Sequence, residues 1–331
     1  MYESVQNIRF FYRKVGIHHS IEKVFDTIYD ELSTSCNIDK RKVSYFRATI
    51  RDVFRNMQYC FRNKGNGINH ITGDIHYVAL SLPRKRTVLT IHDMVTVHGS
   101  KGLKRFLIWL LWFYLPCKWS KKITCISEKT KEDLIQIAKC NPQKLTVIPN
   151  PVSKDFHLSP STFNGHKPVV LHIGTRENKN LERVISALNG ISCHLRIIGD
   201  LNEKQLLALE RNRIEYSNSI NLTDKQIVQE YINCDIVSFP STFEGFGMPI
   251  IEAQTVGRVV VTSDIEPMNS IAGESALRVN PFDVESIKNG FIKIINDDAM
   301  RIKMIDLGLL NVEKYTVENI AKQYLKIYNS I

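Results

Sequence analysis

Short runs of β-branched residues alternate with helical patterns along most of this sequence, and this alternation limits the possible folds more than any other feature. Parallel strands need long crossover connections, which are usually helices, so the pattern predicts βαβ units and the α/β class. In the first half we expect helices over 20–32 and 49–62. The strands predicted there are 7–12, 42–46, 68–72, 87–92, 122–127 and 144–148.

The alternation starts again after a loop-like stretch at 150–167, which contains Pro151, Pro160 and several Ser and Asn residues. The strands predicted in this second half are 168–174, 193–198, 235–240 and 258–263, and the helices are 181–189, 224–233 and 249–256. At roughly 150 residues per domain, a chain of 331 residues is expected to form two domains.

The pattern therefore predicts two Rossmann-like, doubly wound domains. We expect the first over 1–155 and the second over 156–310, with 311–331 as a C-terminal helix that packs back on the first domain. Ligands of such folds bind at the carboxyl ends of the strands. The expected ligand site is thus a cleft across which the two domains face each other.

Composition excludes several classes of protein. Hydrophobic residues at 43%, charged residues at 24%, 16 Gly and 11 Pro are ordinary for a globular chain, which excludes collagen-like, disordered and multi-span membrane proteins. Seven cysteines without a C-x-x-C pair, and no recognisable signal peptide, predict a reducing, cytoplasmic setting.

The positive charge lies in the first half. Residues 1–150 carry 25 Lys and Arg against 12 Asp and Glu, although the whole chain has a net charge of +10. Such an asymmetry indicates an anionic partner, and the alternative is a basic solvated surface without a partner. We expect no nucleic acid, because no basic-aromatic recognition motif accompanies the charge.

The segment 101–122, KGLKRFLIWLLWFYLPCKWSKK, is apolar in its middle and basic at both ends. Its uncharged stretch, 106–117, is shorter than the roughly 20 residues that a helix needs to cross a bilayer. Trp109, Trp112 and Trp119 among Lys and Arg suit a helix lying in the interface of an anionic membrane. The alternative is a helix buried in the core. The tryptophans favour the membrane, so we expect a peripheral location on the inner face of the cell membrane.

The sequence lacks the standard catalytic signatures. It has no G-x-G-x-x-G that opens a helix after a strand, no P-loop, no H-E-x-x-H, no G-x-S-x-G and no D-x-D. The missing motifs argue against a dehydrogenase or a P-loop NTPase and leave metalloprotease and serine hydrolase interpretations without support, and we expect no metal.

The segment STFEGFGMPIIE, 241–252, remains as the candidate site. It lies between a predicted strand and a predicted helix with Pro249 in its first turn. Two glycines allow a ligand to approach the backbone, and a helix N-terminus favours a phosphate. Glu244 and Glu252 offer two acceptor carboxylates for a hydroxyl-rich ligand such as a sugar or a ribose.

With its preceding residues this segment resembles the E-x7-E donor-binding segment of family 4 glycosyltransferases, the retaining enzymes with the GT-B fold. LHIGTRENKNLERVI at 171–185 is similar to the strand, loop and helix that bind the donor diphosphate in that family. VLTIHDM at 88–94 resembles its His-bearing strand end, and CISEKTKEDLI and VIPNPV resemble two further stretches. The resemblance thus covers most of the chain.

The resemblance implies roles for individual residues. His92, Glu244 and Lys179 would serve catalysis: His92 would face the donor sugar, Glu244 would hold its hydroxyls and Lys179 would bind phosphate. Glu252 would accept from the ribose hydroxyls. The remaining donor-binding residues would be Arg176, Gly245, Phe246 and Gly247.

Two positions depart from the family pattern. The phosphate-binding Arg of related sequences sits one residue before Arg176, where this chain has Thr175. The family's first loop often carries a Gly-Gly pair, whereas VGIHHS offers only Gly16. Gly16 and His19 are the candidates on the acceptor side, and the alternative for His19 is an ordinary loop residue.

The resemblance implies a hexosyltransferase without a cofactor. It would move mannose or a similar hexose from a nucleotide-diphosphate sugar to a lipid-linked or surface-polysaccharide acceptor, as in lipopolysaccharide or capsule biosynthesis. One alternative is a GT-B-fold sugar-nucleotide epimerase or an inverting transferase. Another is an inactive member that acts as a binding module, which would need the loss of the E-x7-E motif or of Lys179.

Overall fold

The computed structural model describes residues 7–14 and 20–331 and divides the chain into two compact units. Unit 1 comprises Met1–Pro151 together with Val317–Ile331, and unit 2 comprises Val152–Thr316. The first part of unit 1 therefore ends at Pro151, whereas the sequence pattern predicted the domain boundary at residue 155. The chain returns to unit 1 at Val317, so residues 311–316 of the expected C-terminal segment belong to unit 2.

The described residues of unit 1 form a six-stranded parallel sheet in the order β2-β1-β3-β4-β5-β6. Its strands are β1 Asn7–Tyr12, β2 Asn37–Lys42, β3 Ile68–Ile71, β4 Thr87–Ile91, β5 Lys122–Cys125 and β6 Leu145–Val147. The helices on it are α1 Ser20–Leu32, α2 Ile50–Arg62, α3 Val95–His98, α4 Gly102–Ile108, α5 Leu115–Trp119 and α6 Glu128–Gln136. This arrangement confirms the α/β class of the first domain.

One predicted strand is wrong. The pattern VSYF favoured a strand over 42–46, but β2 is the polar segment Asn37–Lys42 and the chain is exposed from Ser44 to Arg51. As an edge strand, β2 buries only Ile38 and pairs Arg9 with Asp39, Nε to Oδ1, at 2.7 Å. An edge strand needs no second apolar face, so hydrophobicity did not mark it.

The last helix of the chain, α14 Val317–Asn329, belongs to unit 1 and contributes Tyr324 and Tyr328 to its core. The Tyr328 hydroxyl lies 2.7 Å from Nδ1 of His70, and Thr90 Oγ1 lies 2.8 Å from the other ring nitrogen. Burial lowers the pKa of His70 to about 3, so the ring is neutral at pH 7. The hydrogen bonds tie α14 to the centre of the sheet.

The described residues of unit 2 also form a six-stranded parallel sheet, in the order β12-β11-β10-β7-β8-β9. Its strands are β7 Val169–Ile173, β8 His194–Ile198, β9 Tyr216–Ser219, β10 Ile236–Phe239, β11 Val259–Ser263 and β12 Leu277–Val279. Its helices are α7 Leu181–Leu188, α8 Glu203–Arg211, α9 Asp224–Ile232, α10 Met248–Val256, α11 Met268–Ala272, α12 Val284–Asn296 and α13 Asp298–Val312. Strand order reverses between β7 and β10, and ligands of such sheets generally bind at the carboxyl ends of the strands at this point.

The tryptophan-rich segment 101–122 is helical and only half exposed. Helix α4 leads into a π-helical stretch, Trp109–Tyr114, and then into α5. Trp109 donates through its indole N–H to the carbonyl of Ile137 at 2.8 Å, and Trp119 donates to that of Leu82 at 2.9 Å. Trp112 packs against the core at a ring-centroid distance of 4.7 Å from Tyr77.

The three tryptophans are thus half-buried and anchored to the fold by hydrogen bonds and core packing, and their contact with a membrane stays a prediction. The exposed apolar side chains of the segment lie before them, at Leu103, Phe106 and Leu107. Within the described part of the chain, none of the helices has the length and apolar character needed to cross a bilayer.

Candidate functional site

The loop after β7 places Lys179 next to the carboxyl end of its strand. Gly174 ends the strand with φ of +90°, a left-handed conformation that favours glycine. A Cβ at this position would lie 3.0 Å from Cγ of Lys179, so the missing side chain leaves room for the lysine. A short 3-10 turn, Glu177–Lys179, then carries the lysine to the start of α7.

Asn180 fixes the start of α7 and was missed by sequence reasoning. It adopts φ of +65°, and its buried side-chain amide donates to the carbonyls of Pro240 at 2.9 Å and Pro281 at 2.6 Å. One side chain thus links the loops that follow β7, β10 and β12. The sequence NKN at 178–180 was the signal for this left-handed residue, because asparagine tolerates the left-handed region better than most residues.

The loop after β10 leads through the two glycines into α10. Gly247 adopts φ of +145° and precedes α10, whose first turn contains Pro249 as predicted. Phe246 is buried, and its ring meets that of Tyr315 edge-on at 5.8 Å. Phe246 is therefore an anchor of the loop.

Lys179 and Glu244, which lie on the two loops, meet in an ion pair. Nζ of Lys179 lies 2.6 Å from Oε1 of Glu244, and the side chains are 22% and 16% exposed. The same Nζ lies 4.9 Å from the ring centroid of Phe239. The structure thus brings together two residues that the sequence predicted separately, in a place that is partly shielded from water.

Asn178 joins the same cluster, although the sequence analysis did not single it out. Its amide donates to the carbonyl of Phe243 at 2.9 Å and to Oε1 of Glu244 at 3.3 Å. Its own carbonyl accepts from the backbone N–H of Thr242 at 2.8 Å. These bonds hold the two loops in register, so Glu244 is positioned from both sides.

The charge of Lys179 also affects the strand below it. His172 on β7 is buried, and its Nδ1 lies 3.4 Å from Oγ of Ser238. Burial, followed by the charge of Lys179, lowers the pKa of His172 to about 3. The ring is therefore neutral at pH 7, and the lysine remains the cation of this cluster.

Glu252 lies on α10, where Tyr231 of α9 donates a short hydrogen bond to its Oε2. Tyr231 is fully buried, and burial followed by the charge of Glu252 raises its pKa well above the ordinary value. The tyrosine stays protonated and orients the carboxylate. Nothing in the E-x7-E spacing indicates this partner, which is 21 residues away in sequence.

Arg176 is exposed, and its carbonyl accepts from the N–H of Lys179 at 2.8 Å. The preceding Thr175 uses its carbonyl to accept from the side chain of Gln205 at 2.7 Å. The main chain at 175–176 therefore belongs to the frame of the loop.

His92 lies in unit 1, directly after β4, and is 8% exposed. Its Nε2 lies 2.8 Å from the carbonyl of Thr72, which can only accept, so Nε2 carries the proton and Nδ1 a lone pair. Burial lowers the pKa of His92 and favours this neutral form. A Cβ at Gly73 would lie 2.7 Å from Cδ2 of the ring, so glycine there is required to seat the histidine.

Two acceptor-side candidates, Gly16 and His19, lie outside the described residues. Arg13 precedes them and pairs with Glu22 at 2.7 Å and with Asp74. This pairing ties the end of β1 to the start of α1 and to the loop after β3. No local pattern in the sequence marks this pairing, because Glu22 and Asp74 lie 9 and 61 residues after Arg13.

The structure has two parallel α/β units. One of them carries a lysine, two carboxylates and a helix N-terminus at the carboxyl edge of its sheet. These features define the class of GT-B glycosyltransferase folds. The lysine suits an anionic group and the carboxylates suit hydroxyl groups. The chain belongs to the family 4 glycosyltransferases, as two family models indicate. The model described as Glycosyltransferase Family 4 matches residues 53–156, and the one described as Glycosyl transferases group 1 matches residues 153–308.

Curated relatives include two Escherichia coli mannosyltransferases. O-antigen chain mannosyltransferase B is 30% identical over 105 residues, which are 32% of this chain and 28% of that protein. Serotype-specific mannosyltransferase WbdA is 31% identical over an alignment 330 residues long. The alignment covers 86% of this chain and 39% of that protein. The chain thus spans well under half the length of these two relatives.

Solved structures share the fold at low sequence identity. The Anabaena protein HepE, solved in complex with UDP and glucose, matches with a TM-score of 0.78 and 16% identity. The match covers 98% of this chain and all of HepE. At this identity the similarity establishes the GT-B fold.

Proposed function

We propose that this chain transfers a hexose, mannose or a similar sugar, from a nucleotide-diphosphate donor to a lipid-linked or surface-polysaccharide acceptor, with retention of configuration at the anomeric carbon. The observation that carries the proposal is the cluster of Lys179 and Glu244 at the carboxyl ends of β7 and β10. It sets a cation for a diphosphate beside a carboxylate for sugar hydroxyls.

The relatives support the choice of sugar and acceptor class. Two of them are named as mannosyltransferases, one of the O-antigen chain and one serotype-specific. The GT-B neighbour HepE was solved with UDP and glucose, which supports a nucleotide-sugar donor for this chain. A membrane-bound or surface glycan is thus the acceptor class that we assign to it, and the location that we propose is the inner face of the cell membrane.

Each residue of the donor site has one task in the proposed reaction. Lys179 neutralises the diphosphate, with Arg176 as a second cation, and Glu252 accepts from the ribose hydroxyls. Glu244 holds the sugar hydroxyls, assisted by the main chain of Gly245 and Gly247. His92 presents its neutral Nδ1 to a sugar hydroxyl, a role that its hydrogen bond to Thr72 supports by fixing the tautomer.

The proposed chemistry needs no nucleophilic side chain. The acceptor oxygen forms a bond to the anomeric carbon on the face from which the phosphate departs. The bond between the anomeric carbon and the phosphate oxygen of the donor breaks. The acceptor proton passes to the leaving diphosphate. The protein positions both partners and stabilises the developing negative charge, which in other enzymes is a large part of catalysis.

Product stereochemistry tests the proposal against its alternatives. We expect a thermal-stabilisation screen of UDP- and GDP-hexoses to identify one preferred donor. A ligand that binds only the native state raises the unfolding midpoint, so the preferred donor gives the largest increase. With that donor and a lipid-linked glycan, NMR of the product is expected to show the anomeric configuration of the donor. An inverted product, or an epimerised donor without transfer, would reject the retaining transferase.

We also propose that the leaving group is stabilised by Lys179 and the N-terminus of α10 rather than by a protein-bound metal. The support is the absence of a D-x-D sequence. In the part of the chain that the structure describes, no three His, Cys, Asp or Glu side chains are grouped as a metal site requires.

Transfer is therefore expected to survive EDTA with less than a twofold loss of rate. The measurement is the initial rate of nucleoside-diphosphate release with and without the chelator. A control with added Mg²⁺ and Mn²⁺ accounts for effects of the chelator itself. Loss of turnover that returns only with a divalent ion would show that a metal carries the charge of the leaving group.

A further inference from the structure

The loop before α2 and the helix itself expose an unusual amount of apolar surface. The exposed fractions are 37% for Tyr45, 69% for Phe46, 91% for Ile50, 66% for Phe54 and 55% for Phe61. Single exposed apolar residues are ordinary, but five large ones within 17 residues form a patch of the kind that marks an interaction site. We call these five side chains the α2 surface.

Helical geometry places three of these residues on one line. At about 100° per residue, Ile50, Phe54 and Phe61 point within about 40° of one another. Buried Asn56 and Cys60 face the core on another side of the same helix. Helix α2 therefore carries an outward apolar stripe in addition to the face that packs on unit 1.

The α2 surface is held in place by the fold. The side-chain amide of Asn56 donates to the carbonyl of Tyr45 and to the hydroxyl of Tyr77, both at 2.8 Å. Thr49 caps the helix by accepting from the N–H of Asp52 at 3.2 Å. The loop and the helix are thus fixed to each other, and the exposed rings need no rearrangement to meet a partner.

The charged residues of the segment that carries this surface are almost all positive. Residues 41–64 contain seven Lys and Arg, of which five follow position 46, and Asp52 is the single acidic residue there. Nζ of Lys64 lies 3.8 Å from the ring centroid of Phe61, and the Arg55 guanidinium lies 5.1 Å from that of Tyr45. Cations thus border the apolar stripe, as in helices that lie on anionic lipid.

We propose that the α2 surface docks unit 1 on an anionic membrane, with Ile50, Phe54 and Phe61 inserted among the lipids and the cations on the headgroups. A second copy of this chain would bring like charges together, and charge complementarity therefore favours the lipid. The proposal replaces the tryptophans of 101–122 by α2 as the principal contact. It rests on the proposed function only through the lipid-linked acceptor, and vesicle binding is measured without donor or acceptor.

The experiment is co-sedimentation of the full chain with vesicles of phosphatidylcholine alone or with phosphatidylglycerol. We expect binding to the anionic vesicles only, weakened by salt because exposed charges are screened. Ile50→Ser/Phe54→Ser/Phe61→Ser is expected to weaken binding at least ~100-fold, since each large apolar side chain gains substantially from burial. Arg51→Gln/Arg55→Gln is expected to weaken it about 5-fold per residue.

Matched variants locate the contact. Leu206→Ser/Leu207→Ser removes exposed apolar side chains, 44% and 59% exposed, from unit 2 and is expected to leave binding unchanged. Leu103→Ser/Phe106→Ser is expected to weaken vesicle binding less than 5-fold. Thermal midpoints equal to that of wild type show that these variants are folded.

Four results would overturn the proposal. They are no binding to anionic vesicles, equal binding to neutral ones, loss of binding only in Leu103→Ser/Phe106→Ser, and a dimer that the α2 variant dissociates. The last result would assign the surface to a second copy. Transferase activity on a water-soluble acceptor is measured in the same variants, and its persistence separates failure of docking from failure of the proposed function.

Discussion

Replacement of Lys179 by alanine is expected to lower kcat/KM for the nucleotide-sugar donor about 10- to 150-fold. Losing a charge-assisted hydrogen bond costs about 1.5–3 kcal/mol, and each 1.4 kcal/mol is about tenfold in a rate or binding constant. Charge on the diphosphate grows as the bond to the sugar breaks, so the loss should be larger in kcat than in the dissociation constant of the nucleoside diphosphate. Steady-state kinetics and calorimetric titration measure the two.

The same substitution separates a functional lysine from an ordinary ion pair. Solvent-exposed ion pairs contribute about 1 kcal/mol or less to the free energy of unfolding, but the Lys179–Glu244 side chains are only 22% and 16% exposed, so breaking this pair is expected to cost more. Lys167→Ala breaks a pair of the same length with Glu215, at 2.6 Å, whose side chains are 46% and 60% exposed, and serves as the control. We expect Lys179→Ala to have the lower thermal midpoint of the two variants, and only Lys179→Ala to lose activity at a temperature at which both are folded.

Lys179→Arg adds a test of geometry. Gly174 leaves room for a slender lysine stem, with a built Cβ already 3.0 Å from Cγ of Lys179, and a planar guanidinium has different reach and hydrogen-bond directions. We expect this variant to recover donor affinity better than turnover. If Lys179→Ala retained wild-type kcat/KM, the lysine would be a structural residue and the assigned donor site would be wrong.

Replacement of Glu252 by alanine is expected to weaken binding of the nucleoside diphosphate about 10- to 150-fold, because it removes the carboxylate that we propose accepts from the ribose hydroxyls. It should also destabilise unit 2. The buried hydroxyl of Tyr231 loses its acceptor, and an unsatisfied buried donor costs about 1–3 kcal/mol.

The double variant Tyr231→Phe/Glu252→Ala separates these two effects. It removes the stranded hydroxyl, so the free energy of unfolding should recover while nucleotide affinity stays low. Tyr231→Phe alone keeps the carboxylate and is expected to bind the nucleotide within about 5-fold of wild type, the loss of one orienting hydrogen bond. Urea unfolding and calorimetric titration provide the two readouts.

A dideoxynucleotide identifies the group that Glu252 contacts. With the 2′,3′-dideoxy nucleoside diphosphate, wild type and Glu252→Ala are expected to bind equally, because the ribose hydroxyls are gone. A difference that persists with this ligand would place Glu252 at another part of the donor. An affinity that rises and falls only with stability would make the Tyr231–Glu252 bond purely structural.

The sequence predicted the fold because local signals agree with the final structure. Helix α1 has the bounds expected from its apolar spacing, and β7, β10 and α10 begin and end within a residue or two of the expected positions. These are central strands and a helix with a proline in its first turn, for which hydrophobicity and turn chemistry give the same answer. Edge strand β2 failed, because its polar sequence carries neither signal.

The candidate site was predictable only in part. Glycine, carboxylate and lysine positions are visible in the sequence because the E-x7-E spacing and the loop pattern are local. The residues that orient them are not. Asn178 and Tyr231 act on Glu244 and Glu252 across 66 and 21 residues of sequence, and a side-chain hydrogen bond over such a separation leaves no periodic pattern.

The sequence by itself determined the α/β alternation, the two units, the glycine-bordered loop and the charge of the first half, all of which depend on residue type and spacing along the chain. Tertiary structure alone decided which apolar residues are buried. Trp109 and Trp119 look like membrane anchors in sequence, yet backbone carbonyls of other segments accept their indole N–H groups. Phe54 lies in an ordinary amphipathic helix but is left exposed. Burial depends on the neighbours that the fold brings from distant parts of the chain, and these are not encoded in local composition.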